Sequence, residues 1–152
     1  MRGAGRSQAD ATAALDKPDS ADTPRIARTV IEALQTHRDA RGSLFEPLND
    51  QELARQKNVH VVLTEPGGVR GNHFHRTAVE MTAVVGPCLV RLKESDQIRD
   101  VEVPAGQIWR FTIPPGVVHA YRNTGASAMV LVSFNTSLHD PANPDTVREA
   151  LL

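Results

Sequence analysis

The sequence predicts an all-β domain, a barrel or sandwich of short strands. Three observations predict it. Apolar and β-branched residues come in runs of strand length at 59–64, around 73–75, and at 80–85, 89–93, 98–103, 108–113, 117–123 and 129–134. Turn chemistry punctuates them at Glu65-Pro-Gly-Gly68, Gly86-Pro87, Pro104-Ala-Gly106 and Pro114-Pro-Gly116. The runs also follow one another closely, as strands of a single closed β-structure do.

The elements follow in order. Residues 1–23 are rich in Ala, Asp, Ser and Gly and almost free of large apolar side chains. Such a segment buries too little surface to offset its ordering entropy, so a disordered tail is expected there. One domain is expected over residues 24–152. Ile26, Val30, Ile31 and Leu34 fit a helix face, but their β-branched content also permits a strand, and strand is the reading adopted. Asp39-Ala-Arg-Gly42 reads as a turn leading to a short strand through Leu44 and Phe45. Asn49 or Asp50 can cap a short helix through Ala54. At the other end, Asn143 as N-cap with Pro144 at the first helical position predicts a short C-terminal helix.

Composition narrows the class of function. The chain has 152 residues, enough for one domain with a real core, of which 40 % are hydrophobic and 23 % charged, with a formal net charge of −1. No basic face or aromatic stacking platform points to nucleic acid. One cysteine, Cys88, excludes an intramolecular disulfide and thiolate metal motifs; a small buried thiol is its expected state. No run of about 18 apolar residues or signal-like stretch is present, so no membrane span is expected and a cytoplasmic location is.

The chemistry concentrates in four residues. His73 and His75 alternate along a strand, so both face one side and Phe74 faces the other. Glu80 follows after a short gap, and His119 lies on a later strand. Three imidazoles and a carboxylate suit one divalent ion such as Zn, Fe, Mn, Ni or Co, and an octahedral ion keeps two positions open for water or substrate. Tyr121 shares the face of His119 and can donate a proton or form a hydrogen-bonded wall. Asn123, two further on, reads as a turn or packing residue.

These residues sit in two wider patterns. Gly67, His73, His75, Glu80 and Gly86 form the first; Pro114-x-Gly116-x-x-His119-x-x-x-Asn123 forms the second. In order, they resemble the two motifs of the cupin superfamily. The Glu80-to-Gly86 interval is one residue short of the family pattern, and the Gly106-to-Pro114 gap is long. The resemblance implies a double-stranded β-helix, or jelly-roll barrel, with a metal at its centre and commonly a homodimer.

A narrower resemblance follows. Asp39-Ala-Arg-Gly-Ser-Leu-Phe-Glu46 and Arg70-Gly-Asn-His-Phe-His75 look like motifs of nucleotide-sugar cupins. The dTDP-4-dehydrorhamnose 3,5-epimerases carry similar segments. More similar is the metal-binding C-terminal cupin of capsular-polysaccharide sugar epimerase/reductases, to whose end Asp140-Pro-Ala-Asn-Pro-Asp-Thr146 is also similar. In the rhamnose epimerases the histidine matching His73 is a base without metal, so the resemblance offers His73 as base or ligand. It implies that Arg41 and Arg70 contact the diphosphate of a sugar nucleotide, which guanidinium binds by paired hydrogen bonds; a salt bridge is the alternative for each. The reductase domain has no counterpart here, so a companion reduction is expected of a separate protein.

His60 lies outside both motifs and reads as a structural histidine; His37 and His139 lie in polar segments. Trp109 and Phe111 alternate with Arg110 and Thr112, and the sequence leaves open which pair faces inward. The expected function is epimerisation or isomerisation of a 4-keto sugar nucleotide by metal-assisted loss of the proton beside the carbonyl. A metal-dependent oxygenase or lyase on a small molecule, and a non-catalytic ligand-binding cupin, are the alternatives. One barrel hosts many reactions, so the fold does not choose among them.

Overall fold

The computed structural model describes residues 27–152. The tail expected over 1–23 lies outside the described residues. The strands are β1 (Val30–Ala33), β2 (His37–Asp39), β3 (Gly42–Leu44), β4 (Asn58–Thr64), β5 (Val69–His75), β6 (Glu80–Val85), β7 (Cys88–Glu94), β8 (Gln97–Val103), β9 (Ile108–Ile113), β10 (Val118–Asn123), β11 (Met129–Asn135) and β12 (Thr146–Arg148), with one helix, α1 (Asp50–Leu53). Two five-stranded antiparallel sheets, ordered β1-β9-β6-β11-β4 and β12-β5-β10-β7-β8, form the jelly roll, and β2-β3 is a separate hairpin.

Alternation decides what the interior holds. Along β6 the inward residues pass from Glu80 through Thr82 to Val84, all buried, so this one strand carries polar chemistry at one end and core at the other. Val84, Val90, Leu92, Phe111, Ile113 and Leu131 fill that core. The open question on β9 resolves inward for the aromatics: Phe111 is fully buried and Trp109 packs at the edge of the core. Arg110 takes the opposite face and pairs with Glu32 (2.5 Å) and Glu52 (2.6 Å).

The short helix forms as its caps dictate. Asn49 Oδ1 accepts from Glu52 N, and Glu52 Oε2 accepts from Asn49 N, both at 2.9 Å, a reciprocal capping box. Strand, not helix, is also what forms at Val30–Ala33, where β1 pairs with β9.

The expected C-terminal helix is a correction. Asn143-Pro144 starts no helix; Thr146–Arg148 is β12, paired antiparallel with β5 as Thr146↔His75, Val147↔Phe74 and Arg148↔His73. A helix of so few residues has no stability of its own. The same backbone gains sheet hydrogen bonds by covering the edge of β5, and tertiary pairing overrides the capping signal.

Candidate functional site

A bulge between β5 and β10 aims the first two histidines. His119 pairs with His73, but Ala120 pairs with Gly71, so Asn72 is the extra residue. Gly71 has φ +84°, and a Cβ there would lie 2.6 Å from the His119 carbonyl oxygen. Only glycine fits. Asn72 takes φ 55°, which asparagine tolerates better than most residues. Its Oδ1 accepts from the backbone N–H of Leu151 (2.7 Å) and Leu152 (2.9 Å). The Arg-Gly-Asn-His segment is therefore a local backbone device before it is a ligand motif.

His73, His75, Glu80 and His119 meet inside the barrel, each offering one ligand atom, all within 4.8 Å of one another. Nε2 of His75, His119 and His73 lies 2.8, 3.5 and 4.0 Å from the Glu80 carboxylate. Burial alone would raise the Glu80 carboxyl; the charge and hydrogen bonding of His119, with His73 and His75, outweigh it and hold the carboxyl well below its ordinary range. Burial pushes His119 down, but Glu80 and the Val117 carbonyl push it up further, and its net shift is upward. Thr82 Oγ1 donates to Glu80 Oε1 at 2.7 Å and lies 2.8 Å from Ser133 Oγ.

The donor set fits a cation. His119 Nδ1 lies 3.1 Å from the Val117 carbonyl oxygen, which only accepts, so Nδ1 carries the hydrogen. In a neutral ring Nε2 then presents a lone pair to Glu80 Oε1, another acceptor. Nε2 of His73 and of His119 are both buried without a hydrogen-bond partner. Such orphans call for an explanation, and acceptors that converge are satisfied by a cation between them.

Above the cluster is a cavity of about 110 Å³ lined by, among others, His60, Arg70, His73, Glu80, Tyr121 and Thr146. A water takes about 30 Å³ of liquid, so the enclosed part holds an ion with a few waters, or the reacting end of a larger ligand. A larger hollow of about 750 Å³ lies by Glu94 and Pro114–Val117 and contains none of the four clustered residues. Tyr121 Oη is 3.5 Å from Glu80 Oε1. Burial first, then the Glu80 charge, pushes the Tyr121 hydroxyl well above its usual range, so it is a donor and not a base.

The remaining residues separate. Arg70 lines the cavity mouth and donates to the Leu63 carbonyl at 3.2 Å. Arg41 sits on the β2–β3 hairpin, 90 % exposed, paired with Asp39 at 2.5 Å, and is not among the cavity's lining residues. Within one chain the structure brings Arg70 to the site and leaves Arg41 apart. Asn123 ties down its turn, donating to Thr64 and Ser127 carbonyls at 2.8 Å. Cys88 is buried, as expected, and His37 and His139 are exposed.

His60 is the cavity residue that sequence reasoning left as structural. It shares the Val62 face of β4, pairs with Ser133 and lines the cavity from an exposed position. Asp145, which does not line that cavity, is a further residue to which sequence reasoning gave no role: its Oδ2 lies 3.3 Å from His75 Nδ1. Burial would raise the Asp145 carboxyl, but the Thr77 hydroxyl and the N–H groups of Ala78 and Thr77 bind it and hold it below the ordinary range.

Comparison with known proteins agrees with this picture. The family model for the polysaccharide biosynthesis C-terminal domain matches residues 37–147. No curated protein sequence matches the chain. Among solved structures, the capsular polysaccharide assembling protein CapF of Staphylococcus aureus aligns at TM-score 0.58 and 29 % identity, over 78 % of this chain and 33 % of CapF. The chain thus spans about a third of CapF's length. QdtA, a sugar 3,4-ketoisomerase from Thermoanaerobacterium thermosaccharolyticum solved with TDP, aligns at TM-score 0.64 and 18 % identity, covering 82 % of this chain and 90 % of QdtA. A 3,4-ketoisomerase from Helicobacter canadensis aligns at 0.62 and 22 %, over 80 % and 90 % of the two chains. At these identities the two isomerases show a shared fold. With the family model covering most of the described residues and the histidine-carboxylate cluster seated where two motifs predict it, the chain belongs to the polysaccharide biosynthesis C-terminal domain family, on a cupin fold.

Proposed function

We propose that this cupin is a metal-dependent epimerase or isomerase of a 4-keto sugar nucleotide, with His73, His75, Glu80 and His119 holding one divalent ion. The observation that carries the reading is the convergence of three imidazole Nε2 atoms on one buried carboxylate, directly beneath a cavity with an arginine at its mouth. A divalent ion there supplies Lewis-acid stabilisation of the negative charge that develops on a keto oxygen when the adjacent carbon loses a proton. The proton leaving the carbon needs a base on the cavity wall, for which His73 is the candidate where it serves as base rather than ligand. The chain's other residues bind the substrate and return the proton. Arg70 offers a guanidinium to the diphosphate outside the enclosed part of the cavity. Tyr121, kept neutral, returns a proton to the carbon skeleton or to the oxygen. The core aliphatics behind Thr82 exclude bulk water from that proton.

His73 supports a second role. It stands furthest from Glu80 of the three histidines, its side chain is 20 % exposed, and its Nε2 is unpartnered. These features suit a base on the cavity wall as well as a ligand. The two roles separate in His73→Asn. If His73 is a ligand, metal content falls with activity; if it is the base, metal stays and proton exchange alone is lost.

Solvent exchange tests the function itself. A TDP- or UDP-4-keto-6-deoxyhexose incubated with the protein in deuterated water gains deuterium at the carbon beside the carbonyl. Absence of enzyme-dependent deuterium there, across both nucleotides, contradicts the proposal and favours the oxygenase, lyase or binding alternatives.

A further inference from the structure

Asp145 belongs to the tail motif Asp140-Pro-Ala-Asn-Pro-Asp-Thr146, which no role described above uses. We infer that Asp145 is a positioning residue for the site: it accepts the Nδ1 hydrogen of His75 and so leaves Nε2 as the nitrogen that faces Glu80, His73 and His119 and that a bound ion would take. The inference rests on the metal reading of the cluster for its functional meaning, but its geometry stands without it.

The geometry has three parts. Asp145 cannot move freely, because its carboxylate is held from the other side. Oδ1 accepts from the backbone N–H of Thr77 (2.9 Å) and from its hydroxyl (2.8 Å), and Oδ2 accepts from the Ala78 N–H (3.1 Å). These donors follow directly on the His75 strand, so the carboxylate clamps the segment that links two ligands, His75 and Glu80. The free side of Oδ2 then faces His75 Nδ1 at 3.3 Å, within reach but not yet aligned as a hydrogen bond. A carboxylate oxygen only accepts. Without an ion both ring nitrogens face carboxylates, Nδ1 at 3.3 Å from Asp145 Oδ2 and Nε2 hydrogen-bonded to Glu80 Oε2 at 2.8 Å, so each carries hydrogen. An ion in the cluster would displace the Nε2 hydrogen and leave Nδ1–H on Asp145. His75 thus spans two carboxylates, one on the ligand side and one behind it.

His119 is arranged in parallel. Its Nδ1 is fixed by the Val117 carbonyl, and its Nε2 faces the same Glu80. A histidine ligand needs its far nitrogen tied to an acceptor, since that contact sets the tautomer and the ring orientation. His119 obtains the acceptor from its own strand. His75 stands at the end of β5, and its acceptor arrives from the residue immediately before β12. This also accounts for the strand that replaces the expected helix: pairing Thr146 with His75 delivers the Asp145 carboxylate to the back of the ring.

Two measurements test the inference. In 15N-labelled, metal-free wild type, the His75 Nδ1 resonance is that of an N–H. It becomes that of an unprotonated nitrogen in Asp145→Asn, whose amide would donate to Nδ1 and leave the ring's hydrogen on Nε2 facing Glu80, the fault seen when an orienting carboxylate becomes an amide. Second, Zn(II) affinity, read by competition with a chromophoric chelator, falls about 10–100-fold in Asp145→Asn. In Thr77→Val, which removes one anchor of the clamp without facing His75, thermal stability falls but Zn(II) affinity stays within about threefold of wild type, a smaller effect than loss of a ligand's own partner. An unprotonated Nδ1 in the wild type overturns the inference, and that reading needs no variant to fold. So does an equal loss of affinity in the two variants, or none in Asp145→Asn. If wild type binds no Zn(II) but shows the Nδ1–H that Asp145→Asn loses, the metal reading fails and the positioning role stands.

Discussion

Gly71 sets the geometry of the site from a position that does no chemistry. Its positive φ and the 2.6 Å approach to the His119 carbonyl mean that Gly71→Ala strains the backbone and pushes apart the two strands that carry His73 and His119. Chemical denaturation is expected to show a loss of about 2–4 kcal/mol, at the upper end of ordinary substitutions. Tyr121→Phe removes only the hydroxyl facing Glu80; turnover of the keto sugar is expected to fall about 10²–10⁴-fold with melting temperature nearly unchanged. Cys88 is pushed up to about 12 by burial, so a thiol reagent at neutral pH is expected to label it only after unfolding. Much at this scale was legible in the sequence. The four clustered residues stood out because their motifs carry several fixed intervals. His60 did not, for a physical reason. Alternation places His60 with Val62, but both faces of β4 carry apolar residues, Val62 on one and Val59, Val61 and Leu63 on the other, so the pattern does not say which face points inward.

Among the elements, the strands and their turns were readable because short β-branched runs between Pro-Gly turns have few other solutions. The α1 cap was readable because a capping box is local; Asn49→Ala is expected to cost about 1 kcal/mol in equilibrium unfolding, by loss of the bond to Glu52 N. The C-terminal segment was not. Asn-Pro marks turns as well as helix starts, and the competing partner, the open edge of β5, is far away in sequence. The bulge was equally hidden, because Arg-Gly-Asn-His reads as a plain strand until Asn72 is seen to lack a partner on β10.

Across the whole molecule, the four clustered residues come from β5, β6 and β10, and so from both sheets of the jelly roll. An ion held by them cross-links the sandwich and stabilises the folded state by mass action. At a free concentration of about 100 times Kd the gain is about 2.7 kcal/mol. For a chain of this length that corresponds to about 5–10 °C in Tm, which a chelator is expected to remove. The expected homodimer also belongs to this scale. β4 is an edge strand, and its outward Val59, Val61 and Leu63 are each more than half exposed, an edge that a second copy covers better than water does. Light scattering is expected to give twice the chain mass for the wild type and the monomer mass for Leu63→Glu; a monomeric wild type overturns this. The central claim, that the cluster is a metal centre, is tested most directly by metal content. The metal-free protein is dialysed against each of Zn, Fe(II), Mn, Ni and Co and then analysed for bound ion. The account predicts one tightly held ion per chain in wild type and little in His75→Ala. Wild type that retains none of the five, or that retains as much as His75→Ala, contradicts it.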